Sequence, residues 1–363
     1  MIQKYFSEKS LLVKNQLIEF LDQQAQMTAS LKLDCLPFLK KMVISGKLHR
    51  GSLVFLGYDL FASDISSELS TDDSRLKLIN RLSMVVELTH SAFLLHDDVM
   101  DQDQIRRSLP TFHRFAADEL KKEGLDDSLK VGESLAICLG DLLIFWANQI
   151  LADGLIDYDD RQISRSLSSF FHQKMELTAW GQMDDVYLAK TASEVTDEQI
   201  FHVYSLKSGH YSVVNPLLLG AIVAGAEKEQ LSLLANLAEK TGIIFQIKDD
   251  QLNLFGLTEK IGKSVGSDVR EDKKTIFRSW LFKLADAEDR KQLEELFGNR
   301  SLDGQGIKIV QKLLDKYQVI TQVNKLIDKL EAEAKQALSN LQLSANSKEL
   351  LASFVQLMTQ REK

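Results

Sequence analysis

The stretch "LKLINRLSMVVELTHSAFLLH", Leu76 to His96, decides the fold class. Its apolar residues recur at the spacing of a helix, and the run is longer than a typical surface helix. "SLAICLGDLLIFWANQIL" from Ser134 and "LSLLANLAEKTGIIFQIKDDQLNLF" from Leu231 repeat the pattern. Strand-like alternation is scarce, and the chain has only three prolines, Pro37, Pro110 and Pro216. Long apolar-rich helices joined by short connectors predict an all-α bundle around one core.

The connectors fall at polar or glycine-bearing spots: "SELSTDDS", "KKEGLDDS", "SEVTDEQ" and "GLTEKIGKSVGSD". Within the third, Thr196–Gln199 has the pattern of a capping box at a helix start. None of these is long enough or simple enough to separate two domains. The expectation is therefore a single domain over residues 1–363, with the charged amphipathic stretch from Ser301 packed on its outside.

Composition narrows the class further. The chain has 363 residues, 44% hydrophobic, with a net charge of −8, which argues against nucleic-acid binding by overall charge. Cys35 and Cys138 lie far apart and lack metal-ligand spacing, which fits a reducing compartment without a disulfide framework. The first residues show no charged-then-apolar leader pattern. Unbroken apolar runs such as Pro216–Ala226 reach about half the ~20 residues of a membrane span. A soluble cytoplasmic protein with no membrane span is expected.

The run from Leu76 ends in "HDDVMDQDQIRR". On a helix, Asp97 and Asp101 share a face, and His90 lies almost two turns before Asp97 on that same face. Asp98 is rotated by about 100°. Like charges at this spacing cost roughly a few tenths of a kcal/mol each, and Asp is a poor helix former. A solvated helix end with surplus acid would explain a lone acidic triplet. It does not explain the histidine, the apolar run upstream and the arginine pair downstream. A bound cation does, because Mg²⁺ is held by one or two carboxylates together with substrate phosphates.

A second cluster strengthens this reading. "FQIKDDQLNLFG" places Asp249, Asp250 and Asn253 after the apolar run Leu231–Ile247. Carboxylates from two core helices can build one metal site across a bundle. A metal-bound anion calls for basic partners. Lys47 and Arg50 are three apart, Arg106 and Arg107 follow the first cluster, and Lys207, Lys263 and Lys273 lie near glycines or turns. Taken singly, each reads as a solvated surface charge. The glycines beside Lys47 and Lys263 let backbone amides approach phosphate, and guanidinium forks suit diphosphate.

With these residues in place, the sequence resembles the trans-isoprenyl diphosphate synthases, the polyprenyl synthetase family. "HDDVMD" with its arginine pair and "PTFH" resembles the first aspartate-rich motif, and "FQIKDDQLNLFG" the second. "GKLHR", "GQMDD", "LKSGHYSVVNPLLLGA" and "GKSVGSDVREDKKT" resemble further family blocks, together covering roughly Ser45 to Thr275. The resemblance implies an all-α homodimer with a deep central cavity between the two acidic motifs. It implies that Asp97, Asp98 and Asp101 hold Mg²⁺ on an allylic diphosphate, with a further Mg²⁺ on Asp249, Asp250 and the Asn253 oxygen. Three Mg²⁺ per site are implied, with Mn²⁺ as an alternative.

Arg106, Lys207, Lys263 and Lys273 would contact the allylic diphosphate. Lys47, Arg50, His90 and Arg107 would bind isopentenyl diphosphate. Ser208 and Gln246 would flank the reacting carbons. The implied reaction joins isopentenyl diphosphate to a dimethylallyl, geranyl or farnesyl primer and releases diphosphate. Ala92 and Phe93, five and four residues before Asp97, occupy the positions that help set chain length in the family. One small and one bulky residue point to geranylgeranyl diphosphate, with farnesyl and longer products open. Three positions depart from the family pattern: Asn253 where Asp is common, Ser208 where Thr is common, and no "RLRP" after "GKLHR". A terpene cyclase, a non-catalytic regulatory subunit on this scaffold and a plain helical scaffold with acidic patches remain as alternatives.

Overall fold

The computed structural model describes residues 1–24, 33–62, 73–107, 109–191, 194–256 and 265–360. The protein is almost entirely helical, as the periodicity predicts. The first six helices are α1 (Ile2–Gln23), α2 (Cys35–Ile44), α3 (His49–Ala62), α4 (Asp73–Met100), α5 (Phe112–Lys122) and α6 (Ser128–Ile156). Next come α7 (Arg161–Lys190), α8 (Asp197–Val203), a π-helical segment (Tyr204–Val214), α9 (Asn215–Val223) and α10 (Lys228–Phe255). The remainder is α11 (Ser267–Arg270), α12 (Ile276–Leu284), α13 (Ala287–Leu296), α14 (Gly304–Lys316), α15 (Val319–Asn340) and α16 (Ala345–Thr359). Among the described residues, the only sheet is an antiparallel hairpin of two-residue strands, β1 (Ile105–Arg106) and β2 (Leu109–Pro110).

Short polar side chains start many of the helices by taking amide hydrogens that have no intrahelical acceptor. Asp34, Thr275, Asp286, Asp303 and Ser344 each do this. The expected capping box is present: Gln199 N–H donates to Thr196 Oγ1 at 3.3 Å, and Thr196 N–H donates to Gln199 Oε1 at 2.9 Å.

The chain forms two compact units. The first comprises Met1–Phe170 with Pro216–Ala226, and the second Phe171–Asn215 with Glu227–Lys363. In the first unit, Leu17, Leu39, Leu56, Leu60, Ile79, Leu82 and Leu143 are fully buried. There α3 and α9 approach so closely that side chains are excluded. A Cβ at Gly57 would lie 1.8 Å from the Leu217 carbonyl oxygen, and one at Gly220 would lie 2.0 Å from that of Val54. In the second unit, Ile244, Ile247 and Leu254 of α10 pack with Phe277, Val310, Leu314, Val323 and Ile327. This corrects the expectation for the segment after Ser301. It is three helices, not an outer layer, and it supplies much of the second unit's core.

One helix is longer in apolar character than its unbroken apolar runs suggest. α6 is long and apolar enough to cross a membrane by length and composition, with a mean hydropathy of 1.7 over an 18-residue window. Counting unbroken apolar runs missed it because Asp141 interrupts the sequence pattern. One face of α6 packs on α4 and α5. The other leaves Ile137, Cys138, Leu142, Phe145 and Ile156 exposed along one stripe.

Replacing Gly57 by Ala forces α3 and α9 apart, because the obstructing atom is a backbone oxygen. Denaturant unfolding of Gly57→Ala should show a loss of roughly 3 kcal/mol. A surface Gly124→Ala control, whose added Cβ would meet nothing within 4 Å, should lose less, through its φ of 85° alone.

Candidate active site

In the first unit, α4 carries Asp97 and Asp98 in its last turn. Asp101 lies just beyond it, yet its N–H still donates to the Asp97 carbonyl at 2.8 Å, so the two acids stay one turn apart. Gln102 then adopts a left-handed φ of 57°, and the β1–β2 hairpin brings Arg106 back against the helix end. Arg106 Nε donates to Asp98 Oδ1, and a terminal nitrogen donates to Asp103 Oδ2 at 2.9 Å. That terminal nitrogen also lies 3.6 Å from Asp97 Oδ2. Burial works against the Arg106 charge, but Asp98, Asp97 and Asp103 outweigh it and hold the guanidinium protonated. Asp98 is 2% exposed. Asp97 and Asp101 remain half-buried at the surface of the same turn.

Arg107, with φ 53°, turns the other way and donates to the Met42 carbonyl at 3.1 Å. Its guanidinium lies 2.7 Å from where a Cβ on Gly46 would be. Gly46 therefore makes room for an arginine, which the sequence pattern did not reveal. Glu87 is a residue that sequence reasoning missed. This buried carboxylate accepts the Gly51 N–H at 2.7 Å and bonds the Arg50 backbone, anchoring the start of α3. Burial pushes Glu87 above the ordinary carboxylate range, while Arg50 and Arg107 pull against it. One turn further along α4, burial and then the charges of Arg50, Arg107 and Arg106 push His90 well below the usual histidine range. His90 is thus a neutral imidazole among arginines. Lys47, by contrast, is exposed. A lone acid in an apolar run, one turn before His90, was the available sign of Glu87.

In the second unit, the π-helical segment packs beside α10. Asp249 is exposed, whereas Asp250 is 4% exposed. Tyr204 OH donates to Asp250 Oδ2, and Gln246 Nε2 donates to Asp250 Oδ1 at 2.7 Å. Ser208 Oγ donates to Gln246 Oε1. Burial, reinforced by Asp250, keeps Tyr204 protonated far above the usual phenol range. Asn253 is 8% exposed and turned toward the next segment. Its Oδ1 accepts the Asp268 N–H at 3.2 Å, and its Nδ2 donates to Ser267 Oγ at 2.6 Å.

Lys207 Nζ bonds Asp185 Oδ2 at 2.6 Å, which gives the "GQMDD" block a structural partner that sequence reading left unassigned. Lys273 Nζ lies 3.4 Å from Glu271. Lys263 lies outside the described residues.

Each acidic motif thus contains one buried aspartate, Asp98 or Asp250, beside a more accessible one, Asp97 with Asp101 in the first and Asp249 in the second. No three acidic, histidine or cysteine side chains among the described residues converge on one point. This donor set fits Mg²⁺, which takes one or two carboxylates and completes its octahedron with water and phosphate oxygens. Asp97 with Asp101, and separately Asp249, are the carboxylates that could hold it.

Comparison with known proteins agrees with this arrangement. The profile of the polyprenyl synthetase family matches residues 35–314. The short chain isoprenyl diphosphate synthase of Methanocaldococcus jannaschii is 30% identical over 269 residues, which span 74% of this chain and 72% of that protein. The geranylgeranyl diphosphate synthase of Sulfolobus acidocaldarius is 30% identical over 234 residues, 64% of this chain and 66% of that one. The fold is similar to that of geranylgeranyl pyrophosphate synthase from Corynebacterium glutamicum, solved with isoprenyl diphosphate and magnesium. That match has a TM-score of 0.88 and 24% identity, and covers 99% of both chains. With more than half its length matched by the family profile and its relatives named as prenyl diphosphate synthases, the chain belongs to the polyprenyl synthetase family of prenyltransferases.

Proposed function

We propose that the protein is a Mg²⁺-dependent, chain-elongating synthase that condenses isopentenyl diphosphate with an allylic diphosphate to give geranylgeranyl diphosphate. The observation that carries this reading is the division of labour within each aspartate pair. Asp98 and Asp250 are buried, Asp97 and Asp101 are half-buried, and Asp249 is exposed. Accessible carboxylates of this kind hold divalent cations against a diphosphate leaving group. The whole chain, residues 1–363, acts as one catalytic domain in this reading.

Bound Mg²⁺ supplies charge that draws electrons out of the allylic C–O bond. Asp97 with Asp101, and Asp249, would hold the metal, and Arg106, Lys207, Lys263 and Lys273 would bind the diphosphate as it leaves. Arg50, Arg107 and Lys47 hold the diphosphate of isopentenyl diphosphate. His90, being neutral, donates a hydrogen bond there without adding charge. Ser208 and Gln246, tied to each other, border the reacting carbons. The double bond of isopentenyl diphosphate attacks the allylic carbon, and the departing diphosphate takes the released proton. The apolar residues upstream of Asp97 exclude the water that would otherwise capture the cation.

A separate basic set around Glu87 supports a two-substrate reaction over a terpene cyclase, which ionises one diphosphate and has no use for it. Retention of carboxylates in both motifs supports an enzyme over a regulatory subunit. For chain length, Ala92 is fully buried and Phe93 only half-buried, so Phe93 is the side chain available to close the product channel. A helical wheel places it within about 40° of Asp97. The exposed stripe of α6, with Ile137, Leu142 and Phe145, supports a homodimer. Cys35 and Cys138, both free thiols, support a cytoplasmic location.

Geranylgeranyl diphosphate supplied alone should be left unchanged, whereas farnesyl with isopentenyl diphosphate and Mg²⁺ should be elongated. Mass spectrometry of the products decides this, and a cyclic hydrocarbon from the first incubation would refute the reading. A chelator should abolish activity, and Asp97→Asn should lower kcat/KM roughly 100-fold or more. Phe93→Ala should shift products toward longer chains, and an unaltered distribution would remove Phe93 from that role. Light scattering should give a dimer for the wild type and a monomer for Phe145→Asp.

A further inference from the structure

We propose that Tyr204 is the positioning residue of the second acidic motif, a role that rests on the diphosphate-binding function argued above. Its hydroxyl has two partners. It donates to Asp250 Oδ2 and accepts the Ile276 N–H at 3.0 Å. Ile276 is the first residue of α12, so its amide is one of the helix-start hydrogens that need an outside acceptor. The positive potential at that helix end polarises the hydroxyl and strengthens the bond it donates.

Asp250 is the hub of a closed loop. Tyr204 and Ser208 lie four residues apart on the π segment, and Gln246 and Asp250 lie four apart on α10. Tyr204 meets Asp250, and Ser208 meets Gln246, which in turn meets Asp250. Two rungs therefore join the elements in antiparallel register and fix the rotation of each. Both Asp250 oxygens are taken by neutral donors, so this carboxylate acts as a strut inside the protein. The residue just before each far rung is a presented or ion-paired charge: Lys207 precedes Ser208, and Asp249 precedes Asp250. The wide turn of a π helix is an uncommon structure, found most often at functional sites.

The third attachment runs through Ile276. Thr275 N–H bonds the Lys273 carbonyl at 2.9 Å, so the amide held by Tyr204 sits at the end of a short tether to Lys273. One hydroxyl thus sets the relative placement of Lys207, Asp249 and Lys273, three charges borne on three separate segments. Without it, a buried carboxylate oxygen and a helix-start amide lose their partner, and the three charges lose common registration.

Tyr204→Phe deletes only that oxygen. In the full-length protein, calorimetric binding of inorganic diphosphate in the presence of Mg²⁺ should weaken about tenfold. The KM for the allylic diphosphate should rise, while the KM for isopentenyl diphosphate, bound through Arg50, His90 and Arg107, should not change. A purely structural tyrosine would lower the active fraction and leave both KM values and the diphosphate affinity as in wild type, and that result overturns the proposal. Wild-type protein that fails to bind diphosphate with Mg²⁺ overturns the synthase reading itself, and this inference with it. A second measurement keeps the test valid should the variant not fold. With 3-fluorotyrosine placed at 204 alone, the ¹⁹F resonance should shift on adding Mg²⁺ and diphosphate. A resonance that stays in place through saturating diphosphate overturns the proposal.

Discussion

Adjacent carboxylates at the end of an apolar helix cannot both be buried and cannot both be ignored. Two unit charges about 4 Å apart repel by roughly 4 kcal/mol at an effective dielectric near 20. The protein meets this constraint in the same way twice. The second aspartate of each pair is buried against named partners, and the first is the more accessible of the two. Asp98 receives a guanidinium from Arg106, and Asp250 receives a hydroxyl and an amide from Tyr204 and Gln246. The different partners suit the surroundings. Asp98 shares the Arg106 guanidinium with Asp97 and Asp103, whereas burial, with Asp268 and Asp249 nearby, pushes Asp250 well above the ordinary carboxylate range. Asp250 is closed off by uncharged donors.

Several irregular features of the chain follow from these two attachments. The hairpin after α4 is the only sheet among the described residues, and it returns Arg106 to the helix it has just left. The π segment sets Tyr204 and Ser208 against α10, and Gly209 meets Gly242 where the two elements pack. Asn253 pins the start of α11 through both ends of its amide. An aspartate there would lack the donor that now reaches Ser267, which gives the departure from the family pattern a physical sense.

The basic half of the site obeys a complementary rule. Arg50 and Arg107 crowd together, and the buried Glu87 lies among them and also holds the start of α3. Burial, reinforced by the same arginines, pushes His90 well below the usual histidine range. Arg107 is thus tied to the Met42 carbonyl before any anionic ligand arrives, and Gly46 leaves the space it occupies. Preorganised cations of this kind lose little on binding diphosphate, because their ordering is built into the fold.

Helical periodicity over Leu76–His96, Ser134–Leu151 and Leu231–Phe255 was enough to establish an all-α protein, since the face a helix buries is written in its spacing. The acidic motifs and their family could also be read directly, because both aspartate pairs are contiguous in sequence. Three things could not. Residues after Ser301 looked amphipathic and peripheral, yet their apolar stripe closes the second unit's core, since a stripe does not say what it will face. α6 was legible as a helix, but not the continuation of its apolar character past Asp141 over a length that would suffice to cross a membrane. Which aspartate of each pair is buried depended on Arg106 folding back through a left-handed turn and on Tyr204 arriving from 46 residues away. Sequence alone determined the kinds of groups present and their local spacing. Tertiary structure decided which of them are buried and what each is paired with, because a buried charge is set by its partners, and those partners come from elsewhere in the chain.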